Sequence, residues 1–295
     1  MDCIAFLFPG QGSQFPGMGN EVLRLLGKQS DELIERANEV TKIDTRMLIT
    51  DAYDNCMLHS AEMASIGLFL TSALYLKAAK VNSFSANYIA GHSFGEYAAL
   101  YGADTLGFER GLYLARCWGS SMERMALKEG KMIAVIGLPL AVIEECANCY
   151  DEVWIANNNS EFQTVLSGSS EQVSKITTEL VNLGAYKVKE LPVVAAFHTP
   201  LMKRAAEYMQ EEIMKSSFSA PNCFVVPNSN LSPTKEVETL KSSLIYQVTG
   251  GTNWLELIKV LRSNSVSVAY EIGAGDTLRK IVSTITSKIR FKKVI

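Results

Sequence analysis

The sequence has few of the features that mark nucleic-acid-binding, secreted or membrane-spanning proteins. Its formal net charge is −3, so there is no excess of basic side chains for a nucleic acid. The N-terminal apolar run covers only residues 3–8 and has no basic flank, which argues against a signal peptide. No apolar run approaches the roughly 18–20 residues that a membrane-spanning helix needs. We therefore expect a cytoplasmic, monomeric protein without a nucleic-acid or membrane partner.

Metal-site and phosphate-loop patterns are also lacking. Cys146 and Cys149 form a single C-x-x-C without a second pair, and the other cysteines are dispersed. Reduced cysteines of an intracellular protein are the simpler interpretation. The glycine-rich segment 9–19 lacks the G-K-[ST] ending of a phosphate loop. We expect no metal and no permanently bound cofactor.

The order of apolar runs predicts an α/β protein that carries an insertion. Residues 4–8 are continuously apolar, as in a central strand buried on both faces. Helical patterns follow at 21–40, 61–80 and 108–125. The larger domain, 1–126 with 193–295, is predicted to be a hydrolase-like mixed sheet core covered by helices.

Residues 127–192 show the order β-α-β-β-α-β, which predicts an inserted ferredoxin-like α+β subdomain. Two of its strands, at 152–156 and 163–166, are predicted to flank an asparagine-rich turn.

The strongest chemical signal is Gly91-His92-Ser93-Phe94-Gly95, which fits the G-x-S-x-G nucleophile elbow. Strand-like residues precede it and helix-like residues follow, as that motif requires. The turn would expose the Ser93 hydroxyl, and the Phe94 N–H at a helix N-terminus could stabilise an oxyanion. A glycine-rich turn with an incidental serine fits the same five residues. Other parts of the sequence are needed to distinguish this alternative from a nucleophile elbow.

A serine nucleophile needs a base, and the chain has three histidines. His92 adjoins Ser93 on a tight turn and should point away from it, although it could help to hold the elbow. His59 is interpreted as a surface residue. His198 lies at a strand-to-helix junction, where catalytic groups are common, and is the best base by elimination. No Asp or Glu is obviously placed as a third member.

Four motifs in order resemble one family, the malonyl-CoA:acyl-carrier-protein transacylases together with the acyltransferase domains of polyketide synthases. They are F-P-G-Q-G-S-Q at 8–14, G-H-S-F-G-E at 91–96, A-F-H-T-P-L-M at 196–202 and G-A-G-D-T-L at 273–278. The resemblance runs essentially from end to end, and the insertion lies where that family has it.

The resemblance implies a ping-pong mechanism. Ser93 would take an acyl group from acyl-CoA or an acyl-phosphopantetheine, with His198 as general base. The thiol of an acyl carrier protein would then accept it. The family places backbone N–H groups, here those of Gln11 and Phe94, at the oxyanion.

The resemblance also assigns supporting residues. The backbone carbonyl of Gln247 would orient the histidine in place of a carboxylate. Asn157 and Asn159 match positions that line the family's cleft.

One segment departs from the pattern of malonyl-selective members. They carry an arginine in R-G-x-x-M, which clamps the free carboxylate of the substrate; the aligned residues here are W-G-S-S-M, so Trp118 replaces it. Ala64 stands where the family usually has T-Q-P. With Met122 and Phe197, these residues are expected to set acyl selectivity, against malonyl.

Other readings remain open. A relocated arginine, Arg110, Arg116 or Arg124, would keep the enzyme malonyl-specific, although Arg116 is about 200° around the helix from Trp118. An acyl-thioester hydrolase that removes stalled chains from carrier proteins would use the same Ser93 and His198. An inactive carrier-protein docking partner is the third alternative.

Overall fold

The computed structural model describes residues 2–50, 55–193 and 195–294. The strands of this part of the chain are β1 (Cys3–Phe8), β2 (Tyr88–Gly91), β3 (Gly130–Ile136), β4 (Val153–Ser160), β5 (Gln163–Ser169), β6 (Lys187–Glu190), β7 (Phe224–Val225), β8 (Thr252–Asn253), β9 (Val266–Glu271) and β10 (Arg290–Lys292).

The α-helices of the same residues are α1 (Asn20–Leu26), α2 (Asp31–Thr41), α3 (Thr45–Ile49), α4 (Ala61–Val81), α5 (Gly95–Gly102), α6 (Phe108–Arg124), α7 (Leu140–Ala147), α8 (Ser170–Asn182), α9 (Lys203–Met214), α10 (Val237–Thr249), α11 (Trp254–Ser263) and α12 (Thr277–Ile285). The predicted helix over 21–40 is therefore two helices. Gly27 takes φ 53° at the end of α1, and a short 3₁₀ turn precedes α2.

The first sheet has the order β10-β9-β1-β2-β7, and its strand pairs are parallel. Its antiparallel element among the described residues is an isolated bridge from Val225 to Thr234. In the centre, Phe8 of β1 is in register with Gly91 of β2. Because the carboxyl ends of parallel strands meet at one edge, the loop after β1 and the elbow after β2 lie side by side.

The second sheet has the order β6-β3-β5-β4-β8. Its first four strands pair in antiparallel fashion, with α7 and α8 in the β-α-β-β-α-β order that the sequence predicted. The asparagine-rich segment is not a turn, because Asn157 and Asn158 pair with β5 and lie in β4. Strand β8 joins by parallel pairing of Asn157 with Thr252. The domain boundaries near 127 and 192 stay a prediction.

Helix α4 is the central helix of the core. It has 21 residues and is apolar enough to pass a length-and-composition test for a membrane span, contrary to the expectation from sequence. Nearly all of its residues are buried within the protein, on every face. An apolar helix buried all round is typical of the centre of a large core.

Helix α6 packs against α4 through a glycine. A Cβ on Gly119 would lie 2.4 Å from the carbonyl oxygen of Ala61 and 2.6 Å from the Cα of Glu62. Both atoms belong to the backbone, so a side chain at 119 would force the two helices apart. This contact sets the distance between the helix that carries Trp118 and the start of α4.

We predict that Gly119→Ala destabilises the protein by about 1–3 kcal/mol, because overpacking a helix contact forces backbone shifts. Urea denaturation gives the free energy of unfolding. The matched control is Gly107→Ala, since a Cβ on Gly107 at the start of the same helix would meet no atom within 4 Å. Equal stability of the two variants would contradict this account of the contact.

Candidate active site

The turn between β2 and α5 requires its two glycines. A Cβ on Gly91 would lie 2.1 Å from the carbonyl carbon of Gly95, and a Cβ on Gly95 would lie 2.3 Å from the carbonyl oxygen of Phe8. Ser93 lies at the apex of the turn with φ 52°, in the left-handed region that residues other than glycine rarely adopt. Such strained backbone concentrates at functional sites. The elbow predicted from G-x-S-x-G is therefore present in geometry as well as in sequence.

Ser93 and His198 are in hydrogen-bonding contact, although 105 residues separate them in the chain. Ser93 Oγ lies 2.7 Å from His198 Nε2, and His198 Nδ1 lies 2.5 Å from the backbone oxygen of Gln247. A carbonyl oxygen only accepts, so Nδ1 carries the proton and donates it. Nε2 is then unprotonated and accepts from the serine hydroxyl. This is the arrangement of a nucleophile and its base.

Burial sets the protonation state of the base. Desolvation lowers the pKa of His198 to about 4, against the raising effect of its backbone hydrogen bond to Gln247. An unperturbed histidine would titrate near ~6.5. The imidazole is therefore neutral at neutral pH, as a general base must be before it takes a proton.

A buried carboxylate, Glu96, connects the elbow to the helix that orients the histidine. Its Oε2 accepts from Gln247 Nε2 at 3.0 Å and from Asn228 Nδ2 at 2.8 Å. Asn228 Nδ2 also donates to the Gly91 carbonyl at 3.0 Å, at the end of β2. Burial raises the pKa of Glu96 to about 7, and hydrogen bonds from Ser243, Asn228 and Gln247 oppose that rise.

His92 links the elbow to the second sheet. Its Nε2 donates to Asn159 Oδ1 at 2.8 Å, and its ring meets Trp254 edge-on at 5.1 Å between centroids. Asn157 donates from Nδ2 to Thr252 Oγ1 at 2.6 Å, which joins β4 to β8. His92 and Asn157 line the cavity beside Ser93, whereas Asn159 lies behind His92 and holds it.

Two backbone N–H groups are available near the nucleophile. Those of Gln11 and Phe94 donate to no acceptor within the described residues. Gln11 lies in the loop after β1 and lines the same cavity as Ser93, and its side chain donates to the Ala61 carbonyl at 3.4 Å. This placement suits the predicted oxyanion donors.

A cavity of about 370 Å³ opens beside the serine and the histidine. Its apolar lining includes Trp118, Met132, Leu191, Pro192 and Phe197. A cavity of this size and character fits a small organic group such as an acyl chain.

Trp118 is 1% exposed and packs against Phe94 at 5.1 Å and Phe197 at 5.9 Å between ring centroids. The two other predicted selectivity residues, Ala64 and Met122, are fully buried and lie outside the cavity lining.

The three arginines considered as replacements for a clamp are engaged elsewhere. Arg116 Nε donates to Glu62 at 2.8 Å, and Arg124 donates to the same carboxylate at 3.1 Å. Arg110 lies over the ring of Tyr113 at 5.1 Å. None of the three lines the cavity.

Sequence reasoning missed several residues of the site. His59, interpreted as a surface residue, is exposed but lines the cavity together with Ser60 and Glu123. Glu96 and Asn228 were also missed. The glutamate stands directly after the elbow motif in G-H-S-F-G-E, which is the one local signal that could have found it.

Comparison with known families identifies the chain. The acyl transferase domain matches residues 5–252, so the chain belongs to this family. The malonyl CoA-acyl carrier protein transacylase of Bacillus subtilis is 31% identical over 98% of this chain and 92% of its own length. The polyketide biosynthesis malonyl CoA-acyl carrier protein transacylase PksC of the same organism is 31% identical over 96% of both chains.

One similar protein is much longer than this chain. The polyketide biosynthesis protein ThaF of Burkholderia thailandensis is 33% identical over 94% of this chain but only 24% of its own length.

Solved structures agree with this assignment. The malonyl CoA-acyl carrier protein transacylase of Coxiella burnetii matches with a TM-score of 0.94 at 30% identity, over 99% of this chain and 94% of that one. A malonyl-transacylase in complex with its type II polyketide synthase acyl-carrier protein matches with a TM-score of 0.94 at 25% identity, over 99% and 95%. The expected fold class, a hydrolase-like core with a ferredoxin-like subdomain, is confirmed.

We predict that the rate of acyl transfer to Ser93 is constant between about pH 8 and about pH 5.5 and decreases at lower pH. The reason is that burial lowers the pKa of His198 to about 4. His198→Ala should lose on the order of 10²–10⁴ in rate. Stopped-flow pH jumps give the rate constants. The exposure to low pH must be brief. A histidine whose pKa is lowered in the folded protein reduces the free energy of unfolding once the pH falls below its pKa in the unfolded chain, about 6.5.

The control for that measurement is His59→Gln, which removes an exposed histidine of the same cavity. The control should keep the wild-type pH profile, and a profile that changes in the control would contradict its assignment to His198.

We predict that Glu96 makes the protein less stable as pH rises. A carboxyl with a raised folded pKa holds its proton more tightly when folded, so its contribution is lost as pH rises through about 7. Between about pH 5 and pH 8, the free energy of unfolding should change by about 1–3 kcal/mol less in Glu96→Gln than in the wild type. Urea denaturation at several pH values measures this.

Glu96→Gln should also lower kcat, because its amide N–H₂ would face the donors of Asn228 and Gln247 and displace the carbonyl that orients His198. Glu256→Gln is the control, because Glu256 lies on the solvent side of α11, where it pairs with Lys259. An unchanged pH slope and unchanged kcat would refute the role of Glu96.

Proposed function

We propose that this protein moves an acyl group from a pantetheine thioester to the phosphopantetheine thiol of an acyl carrier protein, in polyketide or fatty-acid biosynthesis. The observation that carries the proposal is the 2.7 Å contact between Ser93 Oγ and His198 Nε2 beside an apolar cavity. The names of the relatives, malonyl CoA-acyl carrier protein transacylases, support the reaction class. The complex of a similar enzyme with its carrier protein supports the partner.

In the first half-reaction, Ser93 Oγ attacks the thioester carbonyl carbon and His198 Nε2 takes the hydroxyl proton. The N–H groups of Gln11 and Phe94 stabilise the oxyanion. The C–S bond then breaks, and His198 returns its proton to the leaving thiolate. The acyl group is left as an ester on Ser93.

The second half-reaction runs in reverse with a different thiol. His198 takes the proton of the carrier-protein thiol, whose sulfur attacks the ester carbonyl. The bond to Ser93 Oγ breaks, and the proton returns to the serine. The Nδ1 hydrogen bond to Gln247 holds the ring in one orientation through both steps.

The cavity favours acyl groups without a free carboxylate. Trp118 offers an apolar ring where malonyl-selective members of the family would have a guanidinium, and the cavity lining that the described residues form contains no arginine or lysine. Burying a carboxylate without a cationic partner costs several kcal/mol. We therefore infer that malonyl is a poor donor and a monocarboxylic acyl thioester a better one. The donor arrives as acyl-CoA or acyl-phosphopantetheine, with no further cofactor.

The test is a burst-and-chase experiment with labelled malonyl-, acetyl- and longer acyl-CoA. We expect an acyl adduct on Ser93 by intact-mass spectrometry, faster with the monocarboxylic donors, and release to holo carrier protein in the chase. Ser93→Ala is the control and should form no adduct. Release to water at the same rate with and without carrier protein would identify a hydrolase instead, and a strong preference for malonyl-CoA would refute the assigned selectivity.

A further inference from the structure

The wall of the active-site cavity carries a carboxylate that the reaction does not use. Glu123 lies on α6, the helix of Trp118, and lines the cavity with Ser93. Its Oε2 accepts from Ser60 Oγ at 3.2 Å, and its Oε1 accepts from the Ala61 N–H. The side chain is therefore held in place at the start of α4. The unpaired N–H groups of a helix's first turn favour a negative charge there.

No arginine or lysine among the described residues offsets this charge, and the basic side chains of the lining are the imidazoles of His59, His92 and His198. Glu123 forms no ion pair within the part of the chain that the structure describes, and the cavity lining contains no arginine or lysine. The nearest candidates by sequence, Arg116 and Arg124, are both bound to Glu62. The carboxylate of Glu123 thus faces an entering acyl chain without an arginine or lysine partner.

We propose that Glu123 is a second selectivity residue, which repels the free carboxylate of dicarboxylic acyl groups and restricts the cavity to uncharged ones. The proposal rests on the proposed function, since it concerns the acyl group that Ser93 accepts. Two carboxylates that share a cavity of about 370 Å³ lie close enough to repel each other. We expect the repulsion to lower kcat/KM for a charged acyl group by about ten- to hundredfold.

This role has a consequence for the clamp position. An arginine introduced at residue 118 would share the cavity with Glu123 and pair with it rather than with the substrate. Trp118→Arg alone should therefore restore little malonyl activity. Trp118→Arg combined with Glu123→Gln should restore more than the two single changes together, which is the signature of coupled sites.

The experiment separates charge from size by using two donors of equal shape. They are malonyl-pantetheine, which ends in a carboxylate, and its carboxamide analogue, which is neutral. The measured quantity is kcat/KM for Ser93 acylation by the charged donor divided by kcat/KM for the neutral donor. It is measured in wild type, Glu123→Gln, Trp118→Arg and the double variant. We expect Glu123→Gln to raise the ratio about tenfold or more by improving only the charged donor.

Controls keep the result specific. Glutamine retains an oxygen that accepts from the Ala61 N–H, and thermal unfolding shows whether the fold is kept. Glu109→Gln makes the same chemical change on the same helix, where Glu109 pairs with Arg36 outside the cavity. It should leave the ratio unchanged.

Two outcomes would overturn the inference. One is an unchanged ratio in a folded Glu123→Gln variant. The other is wild-type enzyme that accepts the charged and neutral donors equally, which needs no variant at all. Either result leaves the proposed transfer reaction standing as long as the neutral donor acylates Ser93. Failure of every donor to acylate Ser93 would instead refute the proposed function.

Discussion

The site depends on one buried carboxylate. Glu96 accepts hydrogen bonds from Asn228 and Gln247, and through them it holds the end of β2 and the helix α10 at a fixed separation. Removing that group from water raises its pKa to about 7, so its position has a cost in free energy. The benefit is that Ser93 and His198, which lie on different elements, meet at 2.7 Å. Catalytic precision of this kind needs support from behind the reacting groups.

Charge is distributed unevenly around the cavity, and the distribution has a common origin. Glu62 and Glu123 both lie where α4 begins and α6 ends. The first pairs with Arg116 and Arg124, neither of which lines the cavity, and the second accepts a hydrogen bond from the Ala61 N–H at the start of α4. Both side chains stabilise the packing of α4 on α6, and the lining of the cavity among the described residues contains no arginine or lysine. The same helix junction therefore sets both the packing of α4 on α6 and the charge of the cavity wall.

Short-range patterns could be predicted from the sequence, whereas contacts between residues far apart in the chain were missed. The elbow, the apolar strands and the β-α-β-β-α-β order are short-range patterns, and the structure has them. The departure at Trp118 was also visible, because it lies inside a contiguous motif. Glu96 was missed since its partners Asn228 and Gln247 are 132 and 151 residues away. The segment around Asn157 was misread as a turn, because its strand is stabilised by pairing with β5 and β8.

The attachment of the second sheet limits how the chain can be recombined. Strand β8, from residues 252–253, completes that sheet, and Asn157 and Asn159 are satisfied by Thr252 and His92 from outside the insertion. An excised insertion would lose an edge strand and expose two amide side chains without their partners. Grafting it onto another scaffold would therefore require carrying along residues from three separate stretches of sequence. The insertion is one continuous stretch of sequence, but its sheet and its buried amide side chains depend on residues outside that stretch.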